Sequence, residues 1–209
     1  MTVSSAKSPT LESGDRLTRK EFHRRYLASP KIKKAELVEG VVYVASPVGA
    51  RHAEAHGWVV GWLAACQCQH PELRLHDNAT VFLDADNEVQ PDACLWREEP
   101  LGPRLNNDGY IEGAPQLIVE VAVSSASYDL HDKLRAYRRA GVREYMVWRV
   151  EDRAIDWFRL DEGAYEQVPP DENGVIESTV FPGLRLDVAK MLAGDLAGVL
   201  ALLGRPIVS

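Results

Sequence analysis

Cysteine is scarce in this chain: Cys66, Cys68 and Cys94 are the only three in 209 residues. So few, and an odd number, exclude a disulfide-stapled scaffold and suit a reducing compartment. Cys66-x-Cys68 is too tightly spaced for a zinc chelate, and Cys94 alone does not complete one. Long apolar runs are missing too. The longest, 191–204, is interrupted by Asp195 and falls short of the about 20 residues that span a bilayer. The opening stretch MTVSSAKSPTLESG has no apolar centre of the kind a signal peptide needs. A cytoplasmic protein without a membrane partner is the expectation. Gly-rich phosphate loops, GxSxG and HExxH are absent, as are internal repeats. That removes the motif-bearing nucleotide-binding, serine-hydrolase and zinc-protease classes. Positive charge is outnumbered, with 24 Lys and Arg against 31 Asp and Glu, a net charge of -7. Such a balance argues against a generic nucleic-acid binder but leaves room for a local basic groove.

What is present is ordinary globular composition, 45% hydrophobic and 26% charged. The length allows one sizeable core and little more. Residues 1–14 read as a disordered leader, 15–190 as the main domain, and 191–209 as a C-terminal helix and tail. Leu196, Val199, Leu200 and Leu203 of that helix are apolar enough to suggest a homodimer contact. Charge is uneven: eight Lys or Arg face one acid between 16 and 34, and nine acids face two Arg between 151 and 177.

Local patterns predict the elements. Thr18-Arg-Lys-Glu21 is a capping box, so a helix starts there. Residues 35–45 form two β runs around Glu39-Gly40, a hairpin signal. A helix is predicted over 50–69, with His52, His56, Val59 and Leu63 on one face. Short strands follow at 73–76, 79–83 and 88–95. Residues 115–123 are nearly all apolar, as in a strand buried on both faces. A helix over 127–140 stops at Gly141 and leads to a strand at 142–150. The strand–helix–strand unit needs a crossover, so its strands should be parallel. Hairpins fill 154–187 and a last helix spans 188–203. The fold class is α/β or α+β, a mixed central sheet flanked by helices.

Three residues stand where their neighbours forbid them. Glu120 lies in the apolar 115–123 run, where a carboxylate is costly unless it is paired or binds a metal. Asp92 follows Pro91, which by itself is compatible with a turn. Lys133 lies at about 300° on a wheel with Leu130 at zero, inside the stripe of Leu134, Tyr137 and Ala140. Arg135 and Arg139 fall at about 140° and about 180°, on the opposite face. Snorkelling would explain such a lysine; so would a buried acidic site, and Asp129 is one turn away. Two carboxylates on adjacent strands can hold Mg²⁺ through hard oxygen ligands. A lysine beside them can orient water or face developing negative charge. Glu36, entering the first β run, is a candidate third carboxylate, although beside Lys33 and Lys34 it also reads as a surface residue. His52 and His56 lie one helical turn apart; His52 reads as a site-facing or core residue.

The ordered series Glu36-Leu37-Val38-Glu39-Gly40, His52, Pro91-Asp92, Glu120-Val121, Ser124-Ser125, Asp129 with Lys133 and Tyr137, and Gly141-Val142-x-Glu144-Tyr145 resembles the Uma-type putative restriction endonucleases. These are bacterial members of the PD-(D/E)XK nuclease superfamily. The resemblance covers about residues 18–187 and implies a restriction-endonuclease-like core. It further implies a Mg²⁺- or Mn²⁺-dependent endonuclease acting on DNA. In it Asp92 and Glu120 are the metal-binding carboxylates. The superfamily's lysine usually lies two residues after the Glu, where this chain has Ala122; the resemblance implies that Lys133 has taken its place. Ser124-Ser125-Ala126 departs from the family's Ser-Pro-Ser. The broken motif and the acidic charge leave a second reading open, a non-catalytic nuclease-fold module that binds nucleic acid or a protein.

Overall fold

The structure is a computed structural model that describes residues 9–203. Helix α1 (Arg19–Leu27) opens on Thr18, whose hydroxyl accepts from the Glu21 amide. The Glu21 carboxylate does not complete the capping box; it pairs with Arg24 and Arg25 instead. Strands β1 (Ala35–Val38) and β2 (Val41–Val44) form the expected hairpin. Glu39 and Gly40 both have positive φ, 50° and 76°, as a two-residue turn matched to strand twist requires. The Glu39 amide donates to Asn87 Oδ1, which helps hold a non-glycine residue in that conformation. Helix α2 spans Ala50–Gln69, as its periodicity predicts.

Short strands follow: β3 (Arg74–Asp77), β4 (Val81–Phe82), β5 (Glu88–Val89), β6 (Ala93–Trp96), β7 (Arg104–Leu105) and β8 (Ile111–Glu112). The run expected as one strand over 88–95 is two. Gln90-Pro91-Asp92 carries the chain from one sheet to another, because proline lacks the amide that would continue a ladder. Strand β9 (Leu117–Ala122) is buried along its whole length. It leads into α3 (Ala126–Tyr128), a π-turn (Asp129–Lys133) and α4 (Leu134–Ala140), which ends on Gly141 at φ 85°. Then come β10 (Glu144–Arg149), β11 (Ala154–Asp161), β12 (Ala164–Gln167), β13 (Val175–Glu177) and β14 (Arg185–Asp187).

One six-stranded sheet has the order β2-β1-β5-β4-β8-β7, a second has β12-β11-β10-β9-β6-β3, and β13 and β14 pair as a two-stranded sheet. Within the second, β9 and β10 are parallel, and the α3–α4 segment makes the crossover. Strand β9 alternates between two cores. Leu117, Val119 and Val121 face a cluster with Val59, Trp62 and Leu63 of α2. Ile118 and Ala122 face a second cluster with Val38, Val89, Ala136, Tyr137 and Tyr145. Glu120, between Ile118 and Ala122, therefore points into the second cluster, where both sheets and the crossover meet.

Two expectations at the ends are corrected. Residues 1–8 of the expected leader lie outside the described residues, but its last part is packed. Leu11 is buried against Phe22 and Leu37, and the Gly14 amide donates to the Val42 carbonyl. One well-placed leucine and an edge hydrogen bond outweigh a polar composition. The last helix is also two, α5 (Val188–Ala193) and α6 (Leu196–Leu200). Gly194 at φ 78° stops the first, and the Asp195 carboxylate caps the second. Within the chain Val199 is buried, and Leu196, Leu200 and Leu203 lie partly buried against the α2 core. Residues 204–209 lie outside the described residues. No helix among the described residues is long and apolar enough to cross a membrane.

Candidate active site

Strand register builds the site. Ala93 pairs with Val119 in the antiparallel β6–β9 ladder, so one step further Asp92 stands opposite Glu120 on the same face. The Val121 amide donates to Asp92 Oδ2 at 2.8 Å, which closes the ladder with a side chain. Glu36 of β1 enters from the other sheet, its Oε1 accepting from the Gln90 amide at 2.8 Å. Lys133 comes from the crossover. Its Nζ lies 2.8 Å from Glu120 Oε1, 2.9 Å from Glu36 Oε2 and 3.8 Å from Asp129 Oδ1. All four residues singled out from the sequence, Glu36, Asp92, Glu120 and Lys133, thus converge.

The π-turn matters here. Its wider winding puts Asp129 and Lys133 on one face, both buried, and such insertions are frequent at functional sites. Tyr137, one turn beyond Lys133, donates its hydroxyl to Glu120 Oε1 at 2.7 Å. Asp129 is tied down by the Ser125 hydroxyl at 2.6 Å. The Tyr128 ring covers Lys133 at 5.4 Å, and its own buried hydroxyl has no partner.

Helix α2 grips Asp92 from outside. His52 Nε2 is 3.1 Å from Asp92 Oδ2, and His56 Nε2 is 2.9 Å from the Asp92 carbonyl. A carbonyl only accepts, so His56 carries its proton on Nε2; it also meets Asp77 Oδ1 at 3.1 Å. With Asp92 ionised, His52 donates from Nε2 as well. Its Nδ1 is buried and has no partner. Lys34 completes the set, 3.1 Å from Asp92 Oδ1 and 3.2 Å from Asn78 Oδ1.

The sequence assigns no site role to Lys34, His56, Gln90 or Tyr137, although Tyr137 belongs to the family-like series and His56 pairs with His52 on one helix face. A signal existed for three of them. Lys34 precedes Glu36 by two, and Gln90 precedes Asp92 by two, which in extended chain means the same face. His56 follows His52 by one helical turn. Tyr137 read as core, and its ring is core; only its hydroxyl belongs to the site.

The electrostatics follow from burial and excess negative charge. Burial pushes the Glu120 carboxyl up to about 8; Lys133 opposes the rise, and Asp92, Asp129 and Glu36 add to it. Burial also raises Asp129, against the pull of Lys133 and the Ser125 hydroxyl. Asp92 goes the other way. Burial favours its neutral form, but the His52 hydrogen bond, the Lys34 charge and the Val121 amide together hold it well below the ordinary carboxylate range. Lys133 sits well above its ordinary value, because Glu120 and Glu36 outweigh the cost of burying its charge. Four carboxylates thus face two lysines, and one carboxylate holds its proton near neutrality.

That surplus fits a divalent cation. Among the described residues, no three His, Cys, Asp or Glu side chains are grouped to hold one metal ion; Lys133 fills the centre between Glu36, Glu120 and Asp129. A cation would rest on Asp92 and Glu120. Mg²⁺ accepts such a site, since it commonly uses one or two carboxylates and completes its shell with water and phosphate oxygens.

Comparison with known proteins gives a family and a fold. The sequence model of the Uma2 family, described as putative restriction endonuclease, matches residues 19–189. The chain is similar to the crystal structure of a putative nuclease belonging to DUF820 from Anabaena variabilis ATCC 29413. The TM-score is 0.65 and the identity 12%, over 81% of this chain and 96% of that one. At that identity the likeness speaks for the fold alone. No curated protein matches.

Proposed function

This chain belongs to the Uma2 family of putative restriction endonucleases, and from that premise we propose that it hydrolyses DNA phosphodiesters with a divalent cation, Mg²⁺ or Mn²⁺, held by Asp92 and Glu120. The observation that carries the reading is the meeting of Asp92, Glu120 and Lys133, from the bend before β6, strand β9 and the π-turn of the crossover, in one buried cluster. Nothing in core packing calls for a buried carboxylate pair with a lysine beside it.

When bound, the cation polarises the phosphodiester and lowers the pKa of its water. The rest falls to the protein. Lys133 and Tyr137 fix Glu120 Oε1; Glu120 Oε2 takes no hydrogen bond among the described residues and is the oxygen that would face the cation. Val121 and His52 fix Asp92 Oδ2, so Oδ1, which now accepts from Lys34, is the oxygen that would face the cation. The Lys133 ammonium places positive charge beside the site, where the pentavalent phosphate gains negative charge. Glu36 orients that ammonium and, through Gln90, the bend that carries Asp92. The family match over 19–189 supports reading 15–190 as the nuclease domain. The three free thiols fit a reducing compartment, where DNA is also found.

The test is cleavage of plasmid and oligonucleotide DNA with Mg²⁺ or Mn²⁺. We expect metal-dependent cleavage that Asp92→Ala and Glu120→Ala each abolish. Cleavage that survives both substitutions would sink the proposal. One observation favours the non-catalytic alternative: both oxygens of Asp92 and Oε1 of Glu120 already have donors within the chain. That reading requires that the protein take up no Mn²⁺ in calorimetry.

A further inference from the structure

The donors on Asp92 are unequal. Val121 and His52 both hold Oδ2, the first through a backbone amide that cannot leave without moving the central strand β9. Oδ1 has one donor, Lys34, on a flexible side chain in the segment before β1. Lys133 is enclosed, with 4% of its side chain exposed, whereas Lys34 keeps 23%. Lys34 is thus the more exposed of the two ammonium groups, in a site whose neighbours Asp77 and Asn78 are exposed. Asn78 Oδ1, 3.2 Å from Nζ, offers an anchor outside the carboxylate.

We propose that Lys34 is a built-in counter-ion that occupies Asp92 Oδ1 and turns to the substrate phosphate when a divalent cation takes that oxygen. This rests on the nuclease reading above and adds a residue to it. An ammonium and a divalent cation compete for the same oxygen, and like charges repel at this separation. The displaced ammonium needs an anion, and the nearest one arriving with the cation is the phosphate of the nucleic acid. Lys34 therefore weakens metal binding in the absence of DNA and strengthens DNA binding once metal is present. The two ligands then favour each other, and the site accepts its cation most readily with substrate in place.

The full-length protein, Lys34→Met, Lys34→Ala and Lys34→Arg are compared in two measurements, with melting temperatures as the check on folding. Calorimetry with Mn²⁺ alone should show Lys34→Met binding about threefold or more tightly than wild type, as expected when a partly exposed competing charge is removed. Fluorescence anisotropy with a duplex oligonucleotide, in saturating Ca²⁺ to withhold cleavage, should show weaker DNA binding. Its salt dependence should fall by about one phosphate contact. Lys34→Arg should resemble wild type in both, and Lys34→Ala repeats the test should the methionine variant fold poorly. Unchanged or weaker Mn²⁺ affinity, or unchanged DNA affinity, overturns the role of Lys34 alone. A wild-type protein whose Mn²⁺ heat is absent, or survives Asp92→Ala, overturns the nuclease site and this inference with it.

Discussion

Glu120 and Lys133 share a 2.8 Å contact in which both partners are almost wholly removed from water. Each residue is improbable in its own element, and each accounts for the other. Removing Lys133 alone leaves Glu36 and Glu120 buried without their cation, and breaking a buried pair costs about 3 kcal/mol or more. Lys133→Met should lose about that much in urea unfolding with a chelator present. Lys133→Met combined with Glu120→Gln should recover part of it, because a buried carboxyl that has lost its ammonium partner is gone. A single variant within about 1 kcal/mol of wild type would mean the pair is not closed in solution.

Metal-free stability should depend on pH through Glu120. The unfolded carboxyl ionises near 4.5 and the folded one at about 8, chiefly because burial disfavours its charge. Between those values the folded state binds more protons, so stability is full below the lower value and falls as pH rises through the higher one. Asp92 contributes the opposite slope, but only at acid pH, because its folded pKa is depressed. Urea midpoints from pH 5 to 8.5 should decline in chelator, and Glu120→Gln should flatten the decline. An equal decline in that variant would assign it to another group.

His52 should affect metal binding in the opposite sense to Lys34. It holds Asp92 Oδ2 from α2, and partners that orient a ligand typically contribute about tenfold or more to affinity. His52→Ala should therefore raise the Mn²⁺ dissociation constant about tenfold by calorimetry, with little change in melting temperature. Unaltered affinity would show that the Val121 amide suffices to orient Asp92.

The thiols should divide one against two. Cys68 is exposed, while Cys66 and Cys94 are buried. Burial pushes Cys66 up to about 11 and Cys94 up to about 12, which starves both of thiolate. At pH 8 a disulfide reagent should label one thiol quickly in the native protein and all three in denaturant. Two fast thiols would place an opening in the α2 or β6 packing.

Charges in apolar surroundings were legible from sequence because they break a local rule. Glu120 interrupts a strand that is apolar on both faces, and Lys133 sits in a stripe whose other members are Leu, Tyr and Ala. The parallel β9–β10 pair was legible for a related reason, since a helix between two strands forces a crossover. Periodicity also found α2, because twenty residues repeat the same instruction several times.

What pairs with those charges was decided elsewhere. Lys34 meets Asp92 across 58 residues, His52 across 40 and His56 across 36. Such contacts exist only once β1, α2 and the Pro91 bend are brought together by two sheets packing on a common core. The same holds for the break at Gly194, where the glycine position lies against Trp58 of α2, and for Leu11, whose burial depends on Phe22 and Leu37 being in place. The π-turn too is a compromise between helix geometry and the ion pairs it serves. By itself the sequence determined that this protein buries carboxylates and a lysine, since local hydrophobic pattern dictates burial. Only the tertiary structure decided that they form one cluster and that Lys34 is its more exposed ammonium, because those relations depend on distances between elements that no local pattern encodes.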